Sequence, residues 1–516
     1  MENKIRFRNH ISIVAERMGS ILVFFFFAFM GGFSQNIKTI AKKEIRLDAG
    51  LAEALLPVLC VLGVFLLIIV WQVVVWSKTY ISIVENTIVI ERNTLNRRKN
   101  TIGIKNISNV NTEQNLFEML LGTCKVKLDT DSLSTADKTD VKIVLKKSEA
   151  EKFRRMVMTL LHQTETGETG KMIDPAASYD PERTMQYDME AGLGDMLVHG
   201  FFSINIFSVL VLAGCIVGAA ELLAQTFGAG MAEKSIIGVL GSVTVVIFFF
   251  FSALWDIVKG FIQYYDFKAK RQGNKIYLSY GLFKKVHYTI PVEKINAVKL
   301  TQSLQARIAG RYMAEVINVG MGDDGTDQKA FLVLYLSRNS MQNYLQMLLP
   351  EFSAILAAPV ERQPRVVWAA WLIPFSGYLI AIAAGLLTVL EFRPDFLKYT
   401  VIAAAGITLL FLLSAVCRFF TAGLSVKEDY LILVRGYMKR SVICVSYDKI
   451  QHINTKQNFI AQKMGIQKGN LYLLASALNM TQSVPYFREG ELDVIRDRML
   501  KTSHAQLTTD YARKQE

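Results

Sequence analysis

The stretch Glu293-Lys294-Ile295-Asn296-Ala297-Val298-Lys299-Leu300-Thr301-Gln302-Ser303-Leu304, closed by Gly310, organises the whole chain because its pattern occurs three times. Its isoleucine recurs as Ile107 in Lys105-Asn106-Ile107 and as Ile450 in Asp448-Lys449-Ile450. Three residues on stand Val110, Val298 and Ile453, and seven on stand Gln114, Gln302 and Gln457. Nine on are Leu116, Leu304 and Phe459, and fifteen on are Gly122, Gly310 and Gly465. Fourteen residues upstream are Asn93, Gly281 and Gly436. Fixed offsets of this kind define an internal repeat, which constrains the architecture before any single element is assigned.

Each copy reads as a small β-rich module ended by a helix. Asn93, Gly281 and Gly436 are expected to supply the positive φ of a tight hairpin between strand-like runs such as Lys275 to Tyr280 and Val286 to Ile290. The closing helix shows in Phe153, Met156, Val157, Leu160 and Leu161, and again in Met341, Tyr344, Leu345, Leu348 and Leu349, one apolar stripe at helical spacing. In the third copy Leu492, Ile495, Met499 and Leu500 carry the stripe and Arg496 interrupts it.

Between the copies lie apolar runs long enough to cross a bilayer: Met18 to Ile37, Ala54 to Trp76, Phe201 to Leu223, Ile236 to Trp255, Val366 to Leu390 and Val401 to Phe420. They pair with short connections, so every long polar segment falls on one side. Lys78, Lys259, Lys268, Lys270, Arg362, Arg365, Arg418 and Lys427, with a basic N-terminal arm, place that side in the cytoplasm; Lys38, Lys42, Lys43 and Arg46 run against the rule. The expected fold is a polytopic α-helical membrane protein, six spans in three pairs, with three cytoplasmic β-rich modules, each capped by a C-terminal helix, which the resemblance described next implies to be PH-like β-sandwiches or barrels. The boundaries are an arm at 1–17, pair one at 18–76, module one at 77–162, an acidic linker at 163–200, pair two at 201–256 and module two at 257–352. A linker at 353–365, pair three at 366–420, module three at 421–502 and a tail at 503–516 follow.

This layout resembles the bacterial membrane-flanked family of PH-like domains, in its long three-copy form. The resemblance rests on the phrases Tyr80 to Gly122, Tyr277 to Gly310 and Tyr430 to Gly465, with the three closing helices. It implies a seven-strand, partly closed sandwich plugged by its helix, and a smaller single-module membrane protein of the same type as a partner. The Arg-rich phrase that often precedes a span pair is degenerate here, in Arg6-Phe7-Arg8-Asn9-His10 and Glu361-Arg362-Gln363-Pro364.

The net charge of +13 divides into +5 for residues 77–162, +7 for 257–366 and +6 for 418–516, against −6 for the linker stretch 163–196. Basic modules beside the inner leaflet attract anionic head groups. The candidate lipid-binding residues lie just past each hairpin turn: Arg97, Arg98 and Lys99; Lys284 and Lys285; Lys439 and Arg440. The bland reading of the same residues is a solvated edge that discourages strand pairing.

Catalytic chemistry has no motif. The six histidines are scattered, the five cysteines lack ligand spacing, and Gly167-Glu168-Thr169-Gly170-Lys171 lacks the first glycine and the Ser/Thr of a phosphate loop. No enzyme, cofactor, metal or nucleic-acid partner is expected. A transporter is the rival reading, weakened because the apolar runs carry almost no ionisable residues. The chain therefore reads as a cytoplasmic-membrane scaffold that binds anionic lipid, a companion protein or both, and the family resemblance implies a role in protecting the cell envelope against membrane-active agents.

Overall fold

The computed structural model describes residues 5–19, 21–23, 25, 50–84, 86–130, 141–166, 187–228, 236–318, 330–473, 475 and 477–513. The chain forms two compact units: one holds the first repeat and the short stretch Lys284–Val286, the other the second and third repeats.

In the first unit β1 (Ile5–Phe7), β2 (Thr79–Val84), β3 (Thr87–Asn93) and β4 (Arg97–Gly103) make an antiparallel sheet in that order. β5 (Ile107–Asn115), β6 (Thr123–Thr130) and β7 (Val141–Lys146) pair antiparallel behind it. The helix Lys147–Thr166 inserts Phe153, Met156, Val157, Leu160 and Leu161 into the shared core, all buried, with Phe7, Ile81, Ile88, Val126 and Leu145. The apolar stripe read from the sequence is thus the plug of a four-plus-three-stranded sandwich.

The second unit repeats the seven strands twice. β8 (Met189–Glu190), β9 (Lys268–Gln272), β10 (Lys275–Tyr280) and β11 (Lys284–Pro291) are followed by β12 (Ile295–Gln302), β13 (Arg311–Asn318) and β14 (Ala330–Ser337). Then come β15 (Glu361–Arg362), β16 (Gly423–Val426), β17 (Tyr430–Gly436), β18 (Arg440–Ser446), β19 (Ile450–Lys456), β20 (Ile466–Leu473) and β21 (Thr481–Arg488). The back of the second repeat and the front of the third are one sheet, β14-β13-β12-β18-β17-β16-β15, whose seam runs antiparallel from Ala297↔Val445 to Gln302↔Arg440. Ala297 and Ile317 accordingly belong to the third repeat's core with Leu431, Ile443 and Phe487. The second and third copies are therefore joined through a shared sheet. β12 joins because Ala297, Val298 and Leu300 bury both of its faces; β19 holds His452, Asn454 and Lys456 at the same stage of the repeat and ends a three-stranded sheet, β19-β20-β21.

The segments read as arm and linkers each donate a first strand. Phe7 pairs with Ile81, Met189 with Ala269 and Glu361 with Leu424, so in each repeat the apolar stretch of sequence is an insertion between strands one and two. The degenerate Arg-rich phrases belong to these strands. Behind them Asn9 accepts from the Val144 backbone N–H at 3.0 Å, and Gln363 donates to the Tyr486 carbonyl at 3.1 Å.

Among the described residues three helices are long and apolar enough to cross a membrane: Val243–Gln263, Val367–Phe392 and Pro394–Thr421. A fourth candidate, Leu193–Ser203 with Ile206–Ala220, bends by 76°. Its first half rests on the module: His199 Nδ1 accepts the Tyr335 backbone N–H at 3.2 Å, leaving Nε2 to face the Ser203 hydroxyl at 3.3 Å in an uncharged, fully buried ring. Behind it a Cβ on Gly200 would sit 2.3 Å from Phe261, so only glycine permits this helix approach. Of the first expected pair, most of 18–37 lies outside the described residues, and the second run falls within the helix Gly50–Ser77.

Candidate membrane-facing basic surface

The hairpin between the third and fourth strands of each repeat is tied to the end of a long apolar helix. In the first repeat the Asn93 N–H donates to the carbonyl of Lys78, just past Gly50–Ser77, at 2.9 Å. In the second, Gly281 N–H donates to Tyr265 at 2.6 Å and Leu282 N–H to Ile262, inside the helix Ile236–Gln263, at 3.3 Å. In the third, the helix Leu397–Thr421 runs directly into β16, and Gly423 pairs with Val434 two residues before the turn. Gly281 and Gly436 adopt φ of 110° and 119°, as the tight turn requires; a Cβ on Gly436 would lie 1.9 Å from the Lys439 carbonyl oxygen. Asn93 is not in that region of backbone space, so the first hairpin turns differently.

Each tip exposes a large apolar side chain ahead of its basic residues: Leu95 at 93%, Phe283 at 40% and Met438 at 48%. These three stand at one repeat position, twelve residues before Ile107, Ile295 and Ile450. Apolar groups with cations beside them suit the boundary between acyl chains and head groups. Sequence reasoning found the cations and passed over these apolar neighbours, although they share the repeat offset.

The candidate residues have different surroundings. Arg97, Arg98 and Lys99 open β4 and are exposed; Lys99 lies 4.0 Å from Glu91. Lys285 and Lys439 are exposed as well. Lys284, which groups with the first compact unit, is ion-paired to the buried Glu113, so its charge is already answered. Arg440 is half-buried opposite Gln302, and its Nε has no hydrogen-bond partner among the described residues. Burial lowers its pKa, and the charges of Arg307 and Arg338 push the same way against Tyr312. Arg307 in turn donates to the Tyr437 carbonyl at 3.1 Å, so the third tip meets the second repeat at a cluster of guanidinium groups. Nothing local in the sequence singled out Arg307 or Arg338, because the seam that gathers them joins remote strands.

The remaining repeat positions prove structural. Gln114, Gln302 and Gln457 donate through Nε2 to the carbonyls of Thr123, Arg311 and Ile466, at 2.7, 3.0 and 3.1 Å, bridging the short helix between the fifth and sixth strands. Gly122, Gly310 and Gly465 end that helix with φ of 63°, 64° and 62°. Ile107, Ile295 and Ile450 are buried. Leu116, Leu304 and Phe459 are exposed at 55%, 37% and 65%. The second and third of their helices abut the start of an apolar helix: Ser303 Oγ donates to the Phe202 carbonyl and Asn458 Nδ2 to the Ala370 carbonyl, each at 2.8 Å.

The bacterial PH domain model matches residues 26–160, 209–332 and 365–502, more than half of the chain. The chain belongs to the bacterial PH domain family. In each copy the matched stretch begins after the first strand, leaving β1, β8 and β15 outside it. A relative, the transmembrane protein YdbT of Bacillus subtilis (strain 168), is 21% identical over 427 residues, covering 81% of this chain and 83% of its own. No solved structure matches. Three bacterial PH domains joined to apolar helices make a membrane protein.

Proposed function

We propose that this protein is a non-catalytic scaffold of the cytoplasmic membrane, with six spans in three pairs. Its termini and its bacterial PH domains lie on the cytoplasmic side, where the tips rest on anionic lipid. A smaller single-domain membrane protein of the same family is the proposed companion, and protection of the envelope against membrane-active agents is the proposed setting. The observation that supports this reading is that each hairpin adjoins the end of an apolar helix and exposes an apolar side chain, Leu95, Phe283 or Met438, beside its basic residues. A transport path has one observation on its side, a cavity of about 400 Å³ lined by Asn205, Ser208, Ser252 and Asp256. Asp256 is already paired with Lys259 of its own helix at 2.7 Å and accepts from the Ser208 hydroxyl of the neighbouring helix, which favours a tie between helices.

The test uses the full chain, since excising residues 261–352 would remove β8 and strip the partner strand from β12. An environment-sensitive dye at Met438→Cys, with the five native cysteines replaced by serine, is compared in nanodiscs and in detergent. A blue shift that deepens as phosphatidylglycerol replaces phosphatidylcholine supports the reading. Emission typical of water in both lipids sinks it.

A further inference from the structure

In the third repeat, Lys456 on β19 stands directly opposite Lys468 on β20. Like charges in facing positions of an antiparallel pair destabilise the sheet. The other copies avoid the conflict, with Glu113 opposite Lys125 and Thr301 opposite Met313. A third cation, Arg418, comes from the last turn of the helix Leu397–Thr421. Burial lowers the pKa of Lys468, and the charges of Arg418 and Lys456 lower it further. Among the described residues no carboxylate is ion-paired with any of the three, and Glu489 is engaged by Gln457.

Two aromatic rings wall this corner. Lys468 Nζ lies 5.2 Å from the centre of the Tyr486 ring, and the Arg418 guanidinium 6.0 Å from that of Trp371. Trp371 packs with Val367, Ala370, Ala461, Ile466 and Tyr486 where the helix Val367–Phe392 leaves the domain, so the corner has a rigid apolar floor. Cations gathered without a counter-charge between helix ends and a domain, beside an interfacial tryptophan, have the chemistry of a phosphate site on the cytoplasmic face.

We propose that Arg418, Lys456 and Lys468, walled by Trp371 and Tyr486, bind a phosphate group, carried by an anionic lipid or free in solution. The inference rests on the cytoplasmic placement of the domains proposed above, and it concerns a site separate from the hairpin tips.

The test is tryptophan quenching in the full chain with Trp71, Trp76, Trp255 and Trp368 changed to Phe, leaving Trp371 as reporter. Nanodiscs carry brominated phosphatidylglycerol or brominated phosphatidylcholine at equal mole fraction, and inorganic phosphate is titrated separately. Stronger quenching by the anionic lipid assigns a lipid phosphate. A saturable change in Trp371 emission with inorganic phosphate alone assigns a free one. In either case K456Q and K468Q each lower the apparent affinity about fivefold, in line with roughly 1 kcal/mol per interfacial cation. Folding is checked with K456E, which replaces the facing repulsion by an attraction and also abolishes binding. Equal quenching by both lipids with no phosphate response in the folded protein overturns the inference. If the dye at position 438 still shifts, only this site fails; if it does not, the parent reading fails too.

Discussion

The first and third domains place a lysine at the same point of the same strand and treat it in opposite ways. Lys125 is buried but answered: Glu16 lies 2.6 Å from its Nζ and Glu118 3.2 Å. Lys468, at the corresponding repeat position, is exposed and unanswered, because Ala461 replaces Glu118 and Lys456 replaces Glu113. A buried ammonium survives only with partners, whereas an unpaired cation cluster is tolerated where solvent or a ligand can reach it. One fold therefore yields a structural ion pair in one copy and a candidate binding corner in another. The difference lies in which residues face the short helix.

The largest test of the contrast lies in the plug helices. Phe153 is fully buried and meets Phe7 edge-on at 5.2 Å, so Phe153→Ala is expected to cost about 3–5 kcal/mol. In the third copy the buried Ile495 takes the plug position, and its neighbour Arg496 is 56% exposed between Asp493 and Asp497, so Arg496→Ala is expected to stay within about 0.5 kcal/mol. Hydrogen exchange in β5–β6 and in β19–β20 reads the two copies separately; comparable losses would refute the placing of Arg496 outside the plug.

Glu118→Ala removes one partner of a buried lysine and is expected to cost about 3 kcal/mol in the first domain. Full protection of β6 in that variant would mean that Glu16 alone suffices. Removing the bridging glutamine costs about 1 kcal/mol where it is buried, in Gln302→Ala, and less in the exposed Gln457→Ala. An equal loss at both sites, by thermal unfolding, would count against burial as the cause. Lys468→Glu sets opposite charges face to face and is expected to stabilise β19–β20 by about 0.2–1 kcal/mol.

Titration gives the smallest effect and the clearest sign. Hydrogen bonds and charges from Glu16 and Glu118 outweigh burial and raise the pKa of Lys125, whereas burial and repulsion lower that of Lys468. The contribution of Lys125 is therefore complete below the ordinary lysine value of 10.5 and is lost as pH climbs through its raised folded value. For Lys468 the charged form is the disfavoured one, so raising pH through its lowered value relieves the third domain. NMR of methylated lysines should show Lys468 titrating before Lys125, and the reverse order would contradict the pairing described here.

Much of this fold was legible because its signals are local. Hairpin glycines, bridging glutamines and helix-ending glycines each act within about twenty residues, so they recur at fixed offsets whatever surrounds the repeat. The first strands escaped notice because β1, β8 and β15 are two or three residues long and, in the first repeat, Phe7 finds Ile81 far along the chain. Such strands are too short to show a period of two. Of the basic candidates, the sequence located the hairpins but could not tell the exposed Arg97 from the answered Lys284 or the half-buried Arg440. Those differences arise from carboxylates and guanidinium groups supplied by distant strands.

By itself the sequence determined the three repeats, their helix plugs, their apolar runs and the basic tips, since periodicity and spacing are properties of contiguous chain. Tertiary structure alone decided that β12 joins β18, that the segments before the apolar runs contribute strands, and which cations remain without a counter-charge. Strand edges pair through backbone groups that every residue carries, and charges are answered by whatever the fold brings near. Neither leaves a signature in local composition.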